Sequence, residues 1–345
     1  MQFQRTIGID YSGAETADSS LKGLRAYMTE AGGPAVEVLP PKGPKRYWTR
    51  RGLADWLAAR LGDGVPTIAG IDHAFSFPDA YFARHDLPRD WDAFLGDFHA
   101  HWPTDQAGRN VESFRRDRDA MAARRDGDRR WRRRVEQICR AKSVFHFDVT
   151  GQVAKSTHAG LPFLRQMRKA LPDLHIWPFD GWAAPERVSV LAEVYPRLWS
   201  GDYPNDARTA DQQDAFAVAS WLRDAGADGR LAAALSPGLG DDMKRLARHE
   251  GWILGILRNE RLPKSAAPES SAPKDRSNRG TTIPGYINRN GQVVIGPTGL
   301  PGTDHNQKVY HLRCSGCGLN YGANGSDIHQ RRCPACGKGK PGLVI

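Results

Sequence analysis

The chain has 345 residues, of which 40% are hydrophobic and 26% charged, as in a water-soluble globular protein with about two domains. No apolar run approaches the roughly 18 residues of a membrane helix, and the first residues lack the apolar core of a secretion signal. We therefore expect a cytoplasmic protein with no membrane partner. Its net charge is +10 and its pI is about 9.5.

The positive charge is concentrated in two segments. Residues 109–142 contain thirteen Lys or Arg against six acids, and residues 261–345 contain twelve against four, which leaves the remainder at −5. An acidic core flanked by basic segments is typical of an enzyme that acts on a polyanion, and we expect a nucleic acid partner. The alternative is a basic surface that serves only solubility.

The first predicted element is a buried strand that ends in a carboxylate. Thr6, Ile7 and Ile9 favour an extended backbone, and Gly8 lets another group approach closely. Asp10 ends this strand, where its charge costs free energy unless a partner holds it. Further carboxylates around a divalent cation are one common solution.

The next elements lead to a second such strand. We expect strands over residues 21–30 and 36–39, then a helix over Arg51–Leu61 with Thr49 as its N-cap. The following strand, Thr67–Asp72, again has a glycine two places before a terminal aspartate.

A basic, aromatic-rich segment follows over residues 79–142, and its pattern predicts a helical insertion. Five arginines surround Trp131 on an expected helix, where they can neutralise phosphates while the ring stacks on bases. The alternative is a solvated helix face with Trp131 packed inward. The arginines are Arg129, Arg130, Arg132, Arg133 and Arg134.

A polar, glycine-punctuated loop is predicted over residues 148–160, before a helix over residues 161–171. Lys155 and the N-terminus of that helix are placed to contact a phosphate of the substrate. The loop lacks the spacing of a P-loop.

Three more acids come from the last elements of the core. Residues 174–181 and an apolar strand that reaches Glu193 complete a predicted five-stranded sheet. A helix then begins near Asp211, and Asp211 and Asp214 share one face of its first turn. The sequence thus brings carboxylates from three strands and one helix.

This order of motifs resembles the domain of unknown function 429 family, whose members are predicted to be nucleases of the RNase H-like fold. The last helix also resembles the catalytic helix of RuvC-type Holliday junction resolvases. The resemblance covers about residues 5–225 and implies an RNase H-like mixed sheet with flanking helices. It also implies metal ligands at Asp10, Asp72, Glu193 and Asp214, with Asp211 as a substitute or helper.

If these acids converge, they would hold two Mg²⁺ or Mn²⁺ ions for hydrolysis of DNA or RNA phosphodiesters. Asp10 would bridge the ions, Glu193 and Asp214 would hold one each, and Asp72 would support one. The alternative for each carboxylate is a helix cap or an arginine pair.

The C-terminal part predicts a separate module after a core of residues 1–260. Residues 261–282 are poor in large apolar side chains and predict a mobile linker. Residues 283–345 open with a hairpin signal at 289–291, and then carry two Cys-x-x-Cys pairs. Their spacing is typical of a four-cysteine zinc ribbon, with disulfides as the alternative. The ligands would be Cys314, Cys317, Cys333 and Cys336.

Three functions remain open from the sequence. The first is a metal-dependent nuclease, which by analogy would act in antiviral defence with or without an unidentified protein partner. The second is a non-catalytic nucleic-acid adaptor that binds through the zinc ribbon. The third is an actin-like ATPase or kinase, because the turn after Asp10 resembles a phosphate loop of that fold, although no second loop or domain repeat follows.

Overall fold

The computed structural model describes residues 3–117, 124–148, 153–257, 281–303 and 307–344. The chain divides into two compact units, Met1–Ala266 and Ala267–Ile345. The linker predicted over residues 261–282 lies outside the described residues except for its last two positions. None of the described helices is both long and apolar enough to cross a bilayer.

The first unit is built on a mixed sheet in the order β3-β2-β1-β4-β6-β5. Strand β2 is antiparallel to β1, whereas β4 is parallel to β1 and β6 is parallel to both β4 and β5. The sheet has six strands and not the predicted five, because a short strand pairs at its edge. The strands are β1 Arg5–Asp10, β2 Arg25–Glu30, β3 Val36–Glu37, β4 Thr67–Asp72, β5 His175–Trp177 and β6 Val190–Glu193.

Helices flank this sheet and make the unit a mixed α/β structure. The first begins where predicted, with the Thr49 hydroxyl accepting a hydrogen bond from the Gly52 amide at 3.0 Å. The described helices are α1 Arg50–Leu61, α2 Asp79–Arg84, α3 Trp91–His101, α4 Val111–Arg116, α5 Arg134–Cys139, α6 Ala154–Ala170, α7 Ala210–Asp228, α8 Arg230–Leu235 and α9 Asp241–Glu250.

Helix α7 lies directly on strand β1. A Cβ atom at Gly8 would come within 2.2 Å of the Ala215 carbonyl oxygen and 2.5 Å of the Ala219 nitrogen, so only glycine fits there. The Thr6 hydroxyl also donates to the Ala219 carbonyl at 2.7 Å. These contacts place the first turn of α7 over the C-terminal end of β1.

The aromatic side chains of the insertion form core and not a binding surface. Phe98 and Trp102 are buried around His158 of α6, with ring centroids 5.5 and 4.7 Å from the imidazole. The described insertion consists of short helices joined by loops. Helix α6 begins at Ala154 and not at the predicted residue 161, so Lys155 lies in a helical turn and not in a loop.

The second unit is a small antiparallel sheet. Its strands β7 Gln292–Pro301, β8 Lys308–Cys314 and β9 Asn320–Asn324 pair in sequence order. The core is small and consists of Val294, Leu312, Tyr321, Ala323 and Ile328. The chain turns before β7 at Gly291, which has a positive φ of 72° and donates its amide to the Asn288 carbonyl at 3.0 Å.

Candidate functional site

Four aspartates meet at the C-terminal ends of β1 and β4. Asp10 and Asp72 are paired residues of the two parallel strands, so their side chains leave the same edge of the sheet. Asp211 and Asp214 lie in the first turns of α7, which the contact at Gly8 holds over this edge. We call these four aspartates the carboxylate cluster.

The electrostatics of the carboxylate cluster are unfavourable to its negative charge. Burial, together with Asp72, Asp211 and Asp214, raises the pKa of Asp10 to about 9. Burial, together with Asp214 and Glu193, raises the pKa of Asp72 to about 8. Burial also raises the pKa of Asp214, against a hydrogen bond of 2.5 Å from the Ser200 hydroxyl. Within the described parts of the chain, no lysine or arginine lowers these three pKa values.

Glu193 differs from the carboxylate cluster because the protein neutralises it. Arg133 donates from Nη1 to Oε2 and from Nη2 to Oε1 of Glu193, both at 2.6 Å, and the Phe75 amide donates to Oε2 at 3.2 Å. The side chains of Arg133 and Glu193 are 1% and 4% exposed. Both oxygens of Glu193 are therefore already engaged by a buried guanidinium.

Arg133 also holds a second buried acid. Its Nε donates to Glu136 at 2.8 Å, and its Nη1 donates to the Glu250 carbonyl at 3.2 Å. Burial raises the pKa of Glu136 to about 7, although Arg133 opposes this shift. Glu250 accepts from the backbone amides of Asp79 and Arg134 at 2.6 and 2.7 Å. This network connects the N-terminus of α5 to the C-terminal end of β6.

Arg133, predicted as an exposed residue that binds nucleic acid, is instead buried and paired with acids. The run from Arg129 to Arg134 also does not form the expected helix, because a turn and an extended stretch precede α5, which begins at Arg134. Trp131 is partly buried against the core. Arg130 pairs with Asp128 at 2.6 Å. The exposed arginines of the run are Arg129, Arg130, Arg132 and Arg134.

A cavity of about 630 Å³ opens over the carboxylate cluster. It is lined by Asp10, Asp72 and Asp211 together with Glu193, while the exposed side chains of Arg140 and Arg197 stand at its rim. The cavity thus has an acidic floor and cationic groups at its edge.

A second cavity of about 530 Å³ adjoins the first and shares Tyr11, Ser12 and Ser156 with it. Lys155 and Arg116 line it, and Lys155 pairs with Glu112 at 2.6 Å. Lys155 thus lines a cavity next to the one over the carboxylate cluster.

Two lining residues were not predicted from the sequence. The Tyr11 hydroxyl is buried without a hydrogen-bond partner among the described residues, and its ring lies edge-on to His73 at 4.6 Å. Burial lowers the pKa of His73 to about 4, so its imidazole stays neutral at pH 7. Their positions directly after Asp10 and Asp72 are the only signal in the sequence that points to them.

The second unit contains a tight group of four thiols, which are Cys314, Cys317, Cys333 and Cys336. Their sulfur atoms all lie within 4.8 Å of one another, and none of the four forms a disulfide. A tetrahedral zinc ion bound at about 2.3 Å separates its sulfur ligands by roughly 3.8 Å, so the group fits a zinc site. The predicted ligand set is thus gathered in one place.

Within the described ranges, this cysteine group is the one set of three or more His, Cys, Asp or Glu close enough to share an ion directly. The carboxylate cluster is wider. Mg²⁺ commonly binds through one or two carboxylates and keeps several waters, so a wider arrangement is compatible with it.

Comparison with known proteins adds no relative, since no family model, no curated protein and no solved structure matches the chain.

Proposed function

We propose that the first unit is a metal-dependent nuclease of the RNase H-like fold. The observation that carries this proposal is the carboxylate cluster, of which Asp10, Asp72 and Asp211 line one cavity, and in which burial and neighbouring acids raise the pKa of Asp10 to about 9. The strand order β3-β2-β1-β4, with β2 antiparallel to β1, supports the resemblance on which the fold assignment rests.

Glu193 lines the same cavity and can be compared with Asp10 and Asp72. The protein supplies Arg133 to neutralise Glu193, yet it supplies no such partner to Asp10 or Asp72 among the described residues. Buried acids without a partner cost free energy, and such costs are concentrated at functional sites. A divalent cation would remove the cost at the cluster.

The residues divide into direct and supporting roles. Asp10 and Asp214 would hold the cations, and Asp72 and Asp211 would support them. Glu193 would act mainly as a fixed negative charge beside Asp72, because Arg133 occupies both of its oxygens. When bound, the cations would supply an activated water and stabilise the leaving oxygen of the phosphodiester.

The basic side chains that line the two cavities suit a polyanionic substrate. Arg140 and Arg197 lie at the first cavity, and Arg116 and Lys155 lie at the second. Positive side chains around these two cavities would hold phosphates of the substrate. DNA and RNA both satisfy this requirement.

The test is cleavage of labelled DNA and RNA, single-stranded, duplex and branched, in Mg²⁺ and in Mn²⁺. Wild type is compared with Asp10→Asn and with Asp55→Asn, which makes the same chemical change at an exposed position of α1. We expect Asp10→Asn to lose more than about 100-fold of the activity, because it removes a ligand charge, while Asp55→Asn retains it. Binding without cleavage of any substrate would instead support the adaptor function.

A further inference from the structure

The second unit contains a cleft of about 390 Å³ beside its cysteine group. One wall is the turn that carries Ser326 and the short 3-10 helix Ile328–Gln330. The other wall is the segment 338–340, which follows Cys336 in the chain. Both walls thus lie next to the proposed zinc ligands in sequence.

Arg331 joins the two walls. Its Nη2 donates to the carbonyls of Lys340 and Pro341 at 3.2 and 2.5 Å, and its guanidinium lies 5.8 Å from the centre of the Tyr321 ring. Only 8% of its side chain is exposed, and its Nε has no hydrogen-bond partner among the described residues. The cleft is therefore held open by a buried, positively charged residue.

The cleft is strongly basic. Arg332, Lys338 and Lys340 line it with exposed side chains. The one acid in the lining, Asp327, lies 3.9 Å from Nη1 of Arg331. Residues 307–344 as a whole contain six Lys or Arg and this single acid. No large apolar side chain lines the cleft, which argues against a peptide partner that would need hydrophobic anchors.

We propose that this cleft binds the phosphate backbone of a nucleic acid strand. Several exposed cationic side chains around a preformed groove match a polymer with one negative charge per nucleotide, and contacts made mainly to phosphates predict little sequence preference. This binding is independent of the proposed cleavage by the first unit. A binding assay therefore tests this proposal, whether or not the protein cleaves nucleic acid.

The test uses the full chain and a fluorescein-labelled single-stranded oligonucleotide, without added Mg²⁺ or Mn²⁺. The cleft variant combines Arg332→Gln, Lys338→Gln and Lys340→Gln. We expect its affinity at near-physiological salt to fall at least about 10-fold. Each lost phosphate contact on a single strand reduces the slope of log K against log salt by about 0.7, so the slope should fall by about 2.

A matched control separates the cleft from net charge. Arg289→Gln, Lys308→Gln and Arg313→Gln remove the same three charges from exposed positions of the second unit that do not line the cleft. We expect this variant to bind within about 3-fold of wild type. An equal loss in both variants, or no loss in the cleft variant, would overturn the proposal.

Two further measurements guard against misfolding and generic charge effects. The double variant Lys338→Arg and Lys340→Arg keeps the charge, and it should bind the oligonucleotide as wild type does. Poly-glutamate should compete poorly with the oligonucleotide, whereas equal competition would overturn the assignment to nucleic acid. Failure of the two proposals can be told apart. An Asp10→Asn protein that no longer cleaves but still binds the oligonucleotide would support the cleft independently of cleavage. A cleft variant that loses binding but still cleaves would likewise support the cleft and leave the carboxylate cluster as the cleavage site.

Discussion

Asp10 and Glu193 reach the same cavity, yet removal of their charges should change stability in opposite directions. With a pKa of about 9, the Asp10 carboxyl stays protonated at pH 7 in the folded protein, whereas it ionises near its ordinary value of 3.8 in the unfolded chain. The folded state therefore binds more protons between these pH values, and its stability falls as pH rises from about 4 to about 9.

The slope sets the size of the effect. Each pH unit in this window costs up to roughly 1.4 kcal/mol, an upper value that solvent and side-chain movement reduce. We expect Asp10→Asn to stabilise the first unit by about 1–4 kcal/mol at pH 8, and by less than about 1 kcal/mol at pH 5. Asparagine keeps the shape of the side chain without the charge.

Glu193→Gln should do the reverse. It would place an amide NH₂ against the guanidinium of Arg133 and break one of two charged hydrogen bonds of 2.6 Å. Because Glu136 still pairs with Arg133, the residual charge is balanced and the expected loss is about 2–4 kcal/mol.

The assay is urea unfolding followed by tryptophan fluorescence, with no divalent cation other than zinc. All ten tryptophans lie between residues 48 and 252, so the signal reports only the first unit. A less stable Asp10→Asn protein at pH 8, or an unchanged Glu193→Gln protein, would refute the reasoning.

The same contacts should also govern metal affinity, the stability around Arg133 and the zinc content of the protein. The affinity for Mn²⁺ should rise about tenfold per pH unit between pH 6 and 8 for each proton displaced, because the pKa of Asp10 is about 9 and that of Asp72 about 8. Calorimetry in buffers of different ionisation heat measures the proton release. An affinity that does not change with pH would contradict this prediction. Arg133→Gln should destabilise the first unit by about 3–5 kcal/mol, because it leaves Glu193 and Glu136 buried without a positive partner. Urea unfolding measures this change, and a loss of stability below about 1 kcal/mol would argue against Arg133 as the partner of both acids. Purified protein should contain one zinc ion per chain by elemental analysis, and Cys314→Ser should lower that content, whereas full zinc in the variant would exclude the cysteine group as the site.

Local patterns predicted the elements that carry the carboxylate cluster. Asp10 and Asp72 each end an apolar, β-branched strand, and Asp211 and Asp214 open an amphipathic helix, so their positions follow from periodicity. The cysteine spacing likewise predicted the group in the second unit. In these cases the informative residues are close in sequence.

Contacts between distant residues were not predictable in this way. Arg133 looked like one of several solvent-facing arginines, but its partner Glu193 is 60 positions away and no local pattern connects them. His158 and the first turn of α6 looked like a polar loop, yet the aromatic core buries the imidazole, and burial lowers its pKa to about 3. Tertiary packing overrode composition at both places.

The absence of a side chain at residue 8 has a practical consequence for the spacing of the acids. Since backbone rests on backbone at Gly8 and Ala215, the gap between strand-borne and helix-borne aspartates is a fixed property of the main chain. A single added methyl group, as in Gly8→Ala, would push α7 outward while leaving every carboxylate in the sequence. Residue 8 thus allows the geometry of the acids to be varied separately from their chemistry.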